Sequence, residues 1–180
     1  MRKSSARSLI VAMAAGFAGS AFAAQWNVVP ESSSVTFVGV QQGTKFNGRF
    51  QDFTAEIDLD QADPTKGSIV GVVKVDSVNT RDHDRDAALL DADWFDASKH
   101  PEARFQSTSI EATADGYRAN GELTLKGKTQ PAVMSFTFDG STFAGTMVIN
   151  RFDFNVGEGW NDTSWVGQDV TVEVKLGLTQ

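Results

Sequence analysis

Apolar and polar residues alternate along most of the chain, which is typical of half-buried β-strands. The clearest case is residues 168–179, where Val or Leu alternates with a polar residue or glycine. Turn-forming Gly, Asp and Pro residues separate the runs. Further strands are predicted over residues 33–40, 45–53, 55–60, 68–75, 103–112, 116–126, 129–139 and 142–154. The pattern therefore predicts an all-β domain of about eight antiparallel strands.

One stretch, residues 79–105, departs from this pattern and is predicted to carry a single amphipathic helical insertion. Apolar residues recur there at helical spacing between residues 86 and 95. This apolar face comprises Ala88, Leu89, Leu90, Ala92, Trp94 and Phe95. Acidic residues precede it, where they can cap free N–H groups and suit the helix dipole. These are Asp82, Asp84 and Asp86, and Pro101 is predicted to end the helix.

Eight antiparallel strands can stack as a sandwich or close into a barrel, and the alternation does not decide between the two. Closure leaves no free strand edge. The aromatic content favours a barrel with a cavity, because 13 Phe and 4 Trp stand against 1 Tyr in 180 residues. A barrel of about eight strands can hold one small ligand.

The first residues have the features of a secretory signal peptide. A basic start is followed by an apolar run over residues 8–17, and Ala21, Phe22 and Ala23 form an A-x-A cleavage site. The run is too short for a permanent membrane span, which needs about 20 residues. We therefore expect residues 1–23 to be removed and residues 24–180 to be exported, to the periplasm, as one domain.

Net charge and cysteine content exclude several classes of function. Removing residues 1–23 takes away three cations, so the formal net charge falls from −7 to −10. Such an acidic surface argues against a nucleic-acid partner. The absence of cysteine excludes disulfides, thiolate metal ligands and cysteine nucleophiles.

Several spaced motifs resemble the signature of the YceI-like family. That signature contains R-D-x-x-L, D-F-F and K-Y-P-x-A-x-F, a G-x-L-T-x-x-G-x-T-x-P-V hairpin and a late D-F. The matching residues are Arg85-Asp86, Leu89, Asp93-Trp94-Phe95, Lys99-His100-Pro101, Ala103-Arg104-Phe105, residues 121–127, Thr129-Gln130-Pro131, Val133 and Asp153-Phe154. Trp94 replaces the usual Phe, and His100 replaces the usual Tyr. The resemblance implies an up-and-down, lipocalin-like barrel that encloses a polyisoprenoid or isoprenoid-quinone tail, with no other cofactor.

An apolar cavity would be sufficient to bind such a tail, because each buried CH2 contributes about 0.8 kcal/mol. The alternative is a solid core made of the same side chains. The candidate lining residues are Phe37, Phe46, Phe50, Phe53, Phe136, Phe138, Met147, Ile149 and Phe154 from strands, with Leu89, Trp94 and Phe95 from the helical insertion.

Cationic residues in the insertion are candidates for contact with a polar head group. Arg81 and Arg85 are the main ones, with His83 and Lys99 nearby. The alternative is pairing with the many local acids.

No metal site is expected. Asp82, Asp84 and Asp86 start like a calcium loop, but Ala87 and Asp93 replace the Gly and Glu that such a loop needs. No nucleophile motif accompanies His83 or His100. The sequence predicts a binding protein; an enzyme acting on a lipid and a β module that binds another protein are the alternatives. It leaves a homodimer and an unidentified protein partner open.

Overall fold

The computed structural model describes residues 25–180, and ten strands account for most of them. The predicted signal peptide lies outside the described residues and stays a prediction. The strands are β1 Gln25–Gln41, β2 Thr44–Phe50, β3 Phe53–Asp58, β4 Ser68–Lys74, β5 Val78–Asn79, β6 Glu102–Thr113, β7 Gly116–Leu125, β8 Lys128–Phe138, β9 Thr142–Asn150 and β10 Asp169–Thr179. One α-helix, α1, spans His83–Leu90.

Eight of these strands close into an antiparallel barrel. Strands β3, β4, β6, β7, β8, β9 and β10 pair in that order, and β1 joins β10 to β3. The distal part of β1 also pairs with β2, which in turn carries the short β5. The predicted antiparallel barrel of about eight strands is confirmed. Within the described range no helix is long and apolar enough to cross a bilayer.

The first strand begins earlier than predicted, at Gln25 instead of residue 33. Trp26 pairs with Ile57 of β3, and Val28 pairs with Leu178 of β10. The register shifts between Val29 and Ser34, so Pro30 and the serines that hide the strand in the sequence form an irregularity within it. This early segment is what closes the barrel.

The helix is shorter than predicted and lies earlier in the chain. Its start agrees with the predicted capping, because the Asp82 carboxylate accepts a hydrogen bond from the Arg85 amide at 3.1 Å. It ends at Leu90, well before Pro101, because Asp91 is extended. The amides of Phe95 and Ala97 then donate to the carbonyls of Leu89 and Leu90, at 3.0 and 3.1 Å. The chain thus folds back in a turn.

Two predicted strand ends were also wrong, and side-chain hydrogen bonds to backbone amides explain both. Phe53 begins β3 instead of ending β2, because the Ser77 hydroxyl accepts from the amides of Gln51 and Asp52 and holds a bend there. Strand β9 ends at Asn150, whose side chain accepts from the Phe152 amide at 3.1 Å. The next four residues, Arg151–Phe154, form a 3-10 helix.

Aromatic side chains fill one end of the barrel, which we call the floor. Phe136 stacks on Phe143 with ring centroids 4.9 Å apart and on Tyr117 at 5.3 Å. Trp26 meets Phe138 edge-on at 5.3 Å. The floor lies beside the tight β6–β7 and β8–β9 turns, whereas α1 and the long β9–β10 loop stand at the opposite end, the mouth.

Candidate functional site

The barrel encloses an apolar cavity of about 180 Å³ between the floor and the mouth. One water needs only about 10–15 Å³, so this space is far larger than an ordinary packing defect. All eight barrel strands and β2 contribute to its wall. Among residues 25–180, Thr54, Trp94 and Arg151 are the only lining residues with a polar group in the side chain. Such a lining suits a hydrocarbon chain and offers little to a polar ligand.

Small residues on three neighbouring strands create this space. Ala55 of β3 pairs with Gly71 of β4, which pairs with Phe105 of β6, and Ala103 lies two residues before Phe105. Gly71 shares a strand face with the buried Ile69, so a side chain there would point into the barrel. A Cβ atom added at Gly71 would meet nothing within 4 Å. The cavity is therefore left by residues that are too small to fill it.

Two phenylalanines lie flat against glycines of the adjacent strand. Phe37 of β1 pairs with Gly48 of β2, and Phe46 of β2 pairs with Gly39 of β1. A Cβ atom at Gly48 would come within 2.2 Å of the Phe37 ring. The glycines thus let both rings pack against the strand backbone at the edge of the cavity instead of projecting across it.

The helical insertion covers the mouth of the cavity. Leu89 from α1, and Trp94 and Phe95 from the turn after it, line the cavity. The Phe95 ring lies 6.2 Å from that of Phe50. An ion pair holds the turn, because Lys99 Nζ lies 2.9 Å from Asp96 Oδ2. This hydrogen bond lowers the pKa of the Asp96 carboxyl, which favours its ionised form.

A buried arginine, Arg151, stands where the cavity meets the β9–β10 loop. It is 3% exposed and forms no salt bridge within residues 25–180. Burial lowers its pKa, but arginine stays protonated in proteins. Its N–H groups donate to the carbonyls of Val156, Gly157, Trp160, Val166 and Gly167, with distances of 2.9 to 3.3 Å apart from the shorter bond to Trp160. Arg151 therefore organises the loop.

The predicted head-group residues lie in different surroundings. Arg85 sits at the rim of the cavity, with Cζ 4.2 Å from the centre of the Phe46 ring. It also donates to Thr80 and Gln41, each at 2.9 Å, and lies 3.6 Å from Asp82. Arg81 is exposed. Head-group contact stays a prediction for both.

The other two cationic candidates have local partners or solvent. Lys99 pairs with Asp96, as described above. His83 is fully exposed, with Nδ1 3.8 Å from Asp84. One acidic residue of α1 is also engaged, because the Asp86 carboxylate accepts from both the amide and the hydroxyl of Thr80, at 2.7 and 2.6 Å.

Nine of the twelve predicted ligand-binding residues line the cavity. They are Phe37, Phe46, Phe50, Phe53, Leu89, Trp94, Phe95, Met147 and Ile149. Phe136 and Phe138 belong to the floor. Phe154 is buried in a separate groove between β8 and β9, beside Pro131, Ala132 and Met147. Contact with a ligand stays a prediction for all twelve.

Sequence reasoning missed several residues of the wall. Gly71 interrupts the inward row between Ile69 and Val73, a signal that the alternation of β4 already contained. The inward valines of β10 were recognised as strand residues but not as cavity lining. Arg151 carried a weaker signal, as a charged residue directly after an apolar strand. Val156, Val166 and Gly167 gave none, because their position depends on the folded loop.

The sequence profile of the YceI-like domain matches residues 26–178, nearly the whole described chain. The chain belongs to the YceI-like family. It is 30% identical to a UPF0312 protein of Pseudomonas syringae pv. tomato, over 96% of this chain and 97% of that protein.

Solved structures share the barrel. The crystal structure of Burkholderia cenocepacia BcnA is 33% identical, with a TM-score of 0.75 over 86% of this chain and all of that one. A polyisoprenoid binding domain from Saccharophagus degradans, implicated in plant cell wall breakdown, is 16% identical, with a TM-score of 0.59 over 87% of this YceI-like chain and 98% of that domain. The second likeness concerns the fold alone.

Proposed function

We propose that this YceI-like protein binds one isoprenoid lipid tail in its barrel and carries it outside the cytoplasm. The observation that carries the proposal is the cavity of about 180 Å³ with its almost wholly apolar wall. The family membership supports the same function, and the polyisoprenoid binding domain from Saccharophagus degradans offers a barrel of similar fold. Export rests on the predicted signal peptide.

The magnitude of apolar burial is adequate for this role. Roughly ten buried carbons at about 0.8 kcal/mol each give about 8 kcal/mol gross, which corresponds to about micromolar affinity before ordering costs. No ion pair with the tail is needed. A binding role is also consistent with the positions of the two histidines, since neither His83 nor His100 lines the cavity.

Filling the cavity tests the proposal most directly. Gly71→Leu would place a side chain where an added Cβ meets no atom within 4 Å. We expect the variant to fold and to lose tail binding at least about tenfold, because about three lost methylenes already exceed 1.4 kcal/mol. Titration of the delipidated protein with prenyl alcohols, followed by tryptophan fluorescence, measures this.

A control variant introduces the same residue type, leucine, outside the cavity. Val133→Leu enlarges an exposed residue of β8 and should leave tail binding unchanged. In the wild type, removing one buried isoprene unit should cost on the order of 4 kcal/mol gross for five carbons, less the recovered chain entropy. Affinity that is independent of chain length, or equal in the wild type and Gly71→Leu, would contradict binding in this cavity.

A further inference from the structure

Two tryptophans of the β9–β10 loop are exposed to solvent. Trp160 is 47% exposed and Trp165 is 52% exposed, whereas Trp26 is buried and Trp94 lies partly covered at the cavity wall. Large aromatic side chains exposed together mark interaction surfaces more often than isolated apolar residues do. We call these two residues the tryptophan patch.

Arg151 brings the two parts of this loop together. Its Nη2 atom donates both to the Trp160 carbonyl and to the Val166 carbonyl, which follows Trp165. Two hydrogen bonds of about 3 Å to one nitrogen place those oxygens within about 6 Å of each other. The backbone of the tryptophan patch is therefore confined to one small region.

That region adjoins the mouth of the cavity. The Trp160 ring lies 6.3 Å from the ring of Trp94, which lines the cavity. Val166 and Gly167, directly after Trp165, line it too. The Trp165 carbonyl also accepts from the Gln42 amide at 2.7 Å, at the tip of the β1–β2 hairpin. The patch thus stands on the rim through which a tail would pass.

We propose that the tryptophan patch docks the mouth of the barrel onto a lipid bilayer with a zwitterionic surface. This inference rests on the proposed function, since an isoprenoid tail is insoluble and resides in membranes. Tryptophan prefers the interface between head groups and acyl chains, because its ring is apolar and its N–H can still find a polar partner. Docking there would let a tail pass from bilayer to cavity without crossing water.

The charges around the patch decide the kind of bilayer. From residue 152 to residue 174 every ionisable residue is acidic, and these residues are Asp153, Glu158, Asp162, Asp169 and Glu173. Lys126 approaches Glu158 at 3.7 Å, but its side chain is almost buried. The loop that carries the patch therefore supplies no exposed cation to attract anionic lipids, and Arg85 at the rim, with a side chain 21% exposed, is already engaged by Asp82, Thr80 and Gln41. Insertion of the aromatic rings has to supply the affinity, and a negative surface should weaken it.

Vesicle binding tests the proposal on the purified protein. We expect cosedimentation with phosphatidylcholine vesicles, and weaker binding when phosphatidylglycerol is added. The double variant Trp160→Ala/Trp165→Ala should bind at least about tenfold more weakly, since interfacial binding scales with the buried apolar area. Val133→Ser/Val148→Ser is the matched control, because it removes two exposed apolar residues, 48% and 65% exposed, from the barrel wall. It should bind like the wild type.

A second measurement needs no variant to fold. Brominated phosphatidylcholine should quench part of the wild-type tryptophan fluorescence, because Trp160 and Trp165 would enter the bilayer interface. Three results would overturn the proposal. They are no binding and no quenching in the wild type, binding that prefers anionic vesicles, and a patch that is instead covered by a second copy, seen as a concentration-dependent dimer lost in the double variant.

Failure of membrane docking can be distinguished from failure of tail binding. Tail binding in vesicle-free buffer should be the same in the double variant as in the wild type, since neither residue lines the cavity. Transfer of a prenyl chain out of vesicles should slow only in the double variant. Normal tail binding without vesicle docking would refute the docking surface alone, whereas vesicle docking without tail binding would refute the cavity function.

Discussion

The floor and the mouth of the barrel are both rich in aromatic side chains, yet only the floor is solid. At the floor, Tyr117, Phe136 and Phe143 stack in sequence at 5.3 and 4.9 Å. Toward the mouth, Phe37 and Phe50 also touch, at 5.5 Å, but the cavity remains open beside them. Aromatic content alone therefore does not decide whether a barrel is filled.

The residues that face the aromatic rings make the difference. Near the floor, Ile57 of β3 pairs with Ile69 of β4, and both are buried. Two pairs further along, on the same face of the sheet, Ala55 pairs with Gly71, and these small side chains leave the wall unfilled. Side chains on one face of a strand recur at every second residue. One cross-strand pair of small residues therefore leaves empty the space that two larger side chains would fill.

The two ends are also connected differently. The tight β6–β7 and β8–β9 turns and the longer β3–β4 connection, residues 59–67, close the floor, whereas the mouth carries α1, its following turn and the long β9–β10 loop. Side-chain hydrogen bonds hold these segments, because Asp82 and Asp86 accept from backbone amides and Arg151 donates to backbone carbonyls. Loops on a rigid scaffold are where binding residues usually lie. The floor supplies stability, and the mouth carries the elements that would admit a ligand.

The largest expected effect compares a floor residue with a wall residue. Phe136→Ala should lower the free energy of unfolding by about 3–5 kcal/mol, because its buried ring is stacked on both sides. Phe46→Ala should cost only about 1–2 kcal/mol, because its ring borders space that is already open. Urea denaturation of the delipidated protein measures both. Equal losses would mean that the mouth is packed as tightly as the floor.

An intermediate effect is expected at Arg151. Arg151→Lys keeps the charge but supplies three donors in place of five, so at least two of the carbonyls lose their partner. We expect a loss of about 2–3 kcal/mol. Hydrogen exchange should quicken in residues 155–168 while the floor strands stay protected.

Arg104→Lys is the control for this substitution. Arg104 is an exposed arginine of β6, and its conservative replacement should change neither stability nor exchange. If exchange quickened equally throughout the barrel, Arg151 would be part of the global core, and its special role in the loop would be refuted.

The sequence predicted the barrel well because alternation reports directly which side of a strand is buried. It does not report how far along the barrel axis a side chain lies, so the floor residues Phe136 and Phe138 could not be distinguished from the cavity residues Phe37 and Phe46. That position follows from register, which pairs Phe37 with Gly48 and Phe136 with Tyr117. The end of α1 was misplaced for a related reason. Trp94 and Phe95 face inward because hydrogen bonds of a turn hold them there. Their spacing from the apolar residues of α1 is the same as it would be on one face of a helix, so the sequence pattern does not distinguish the two.

The smallest expected effect is the response of tail affinity to salt. Raising the ionic strength from about 0.01 M to about 1 M shortens the Debye length from about 30 Å to about 3 Å, which weakens interactions between exposed charges. A tail held by apolar burial should respond little, because buried CH2 groups carry no charge to screen. We therefore expect the dissociation constant of an uncharged prenyl alcohol to change by less than about twofold, measured by fluorescence titration.

A prenyl phosphate is the informative comparison. If Arg85 at the rim contacts the head group, the phosphate should bind more tightly at low salt and lose that advantage at high salt, and Arg85→Gln should abolish the difference. A strong salt dependence for the alcohol itself would place the binding energy in charges at the mouth and not in the cavity wall.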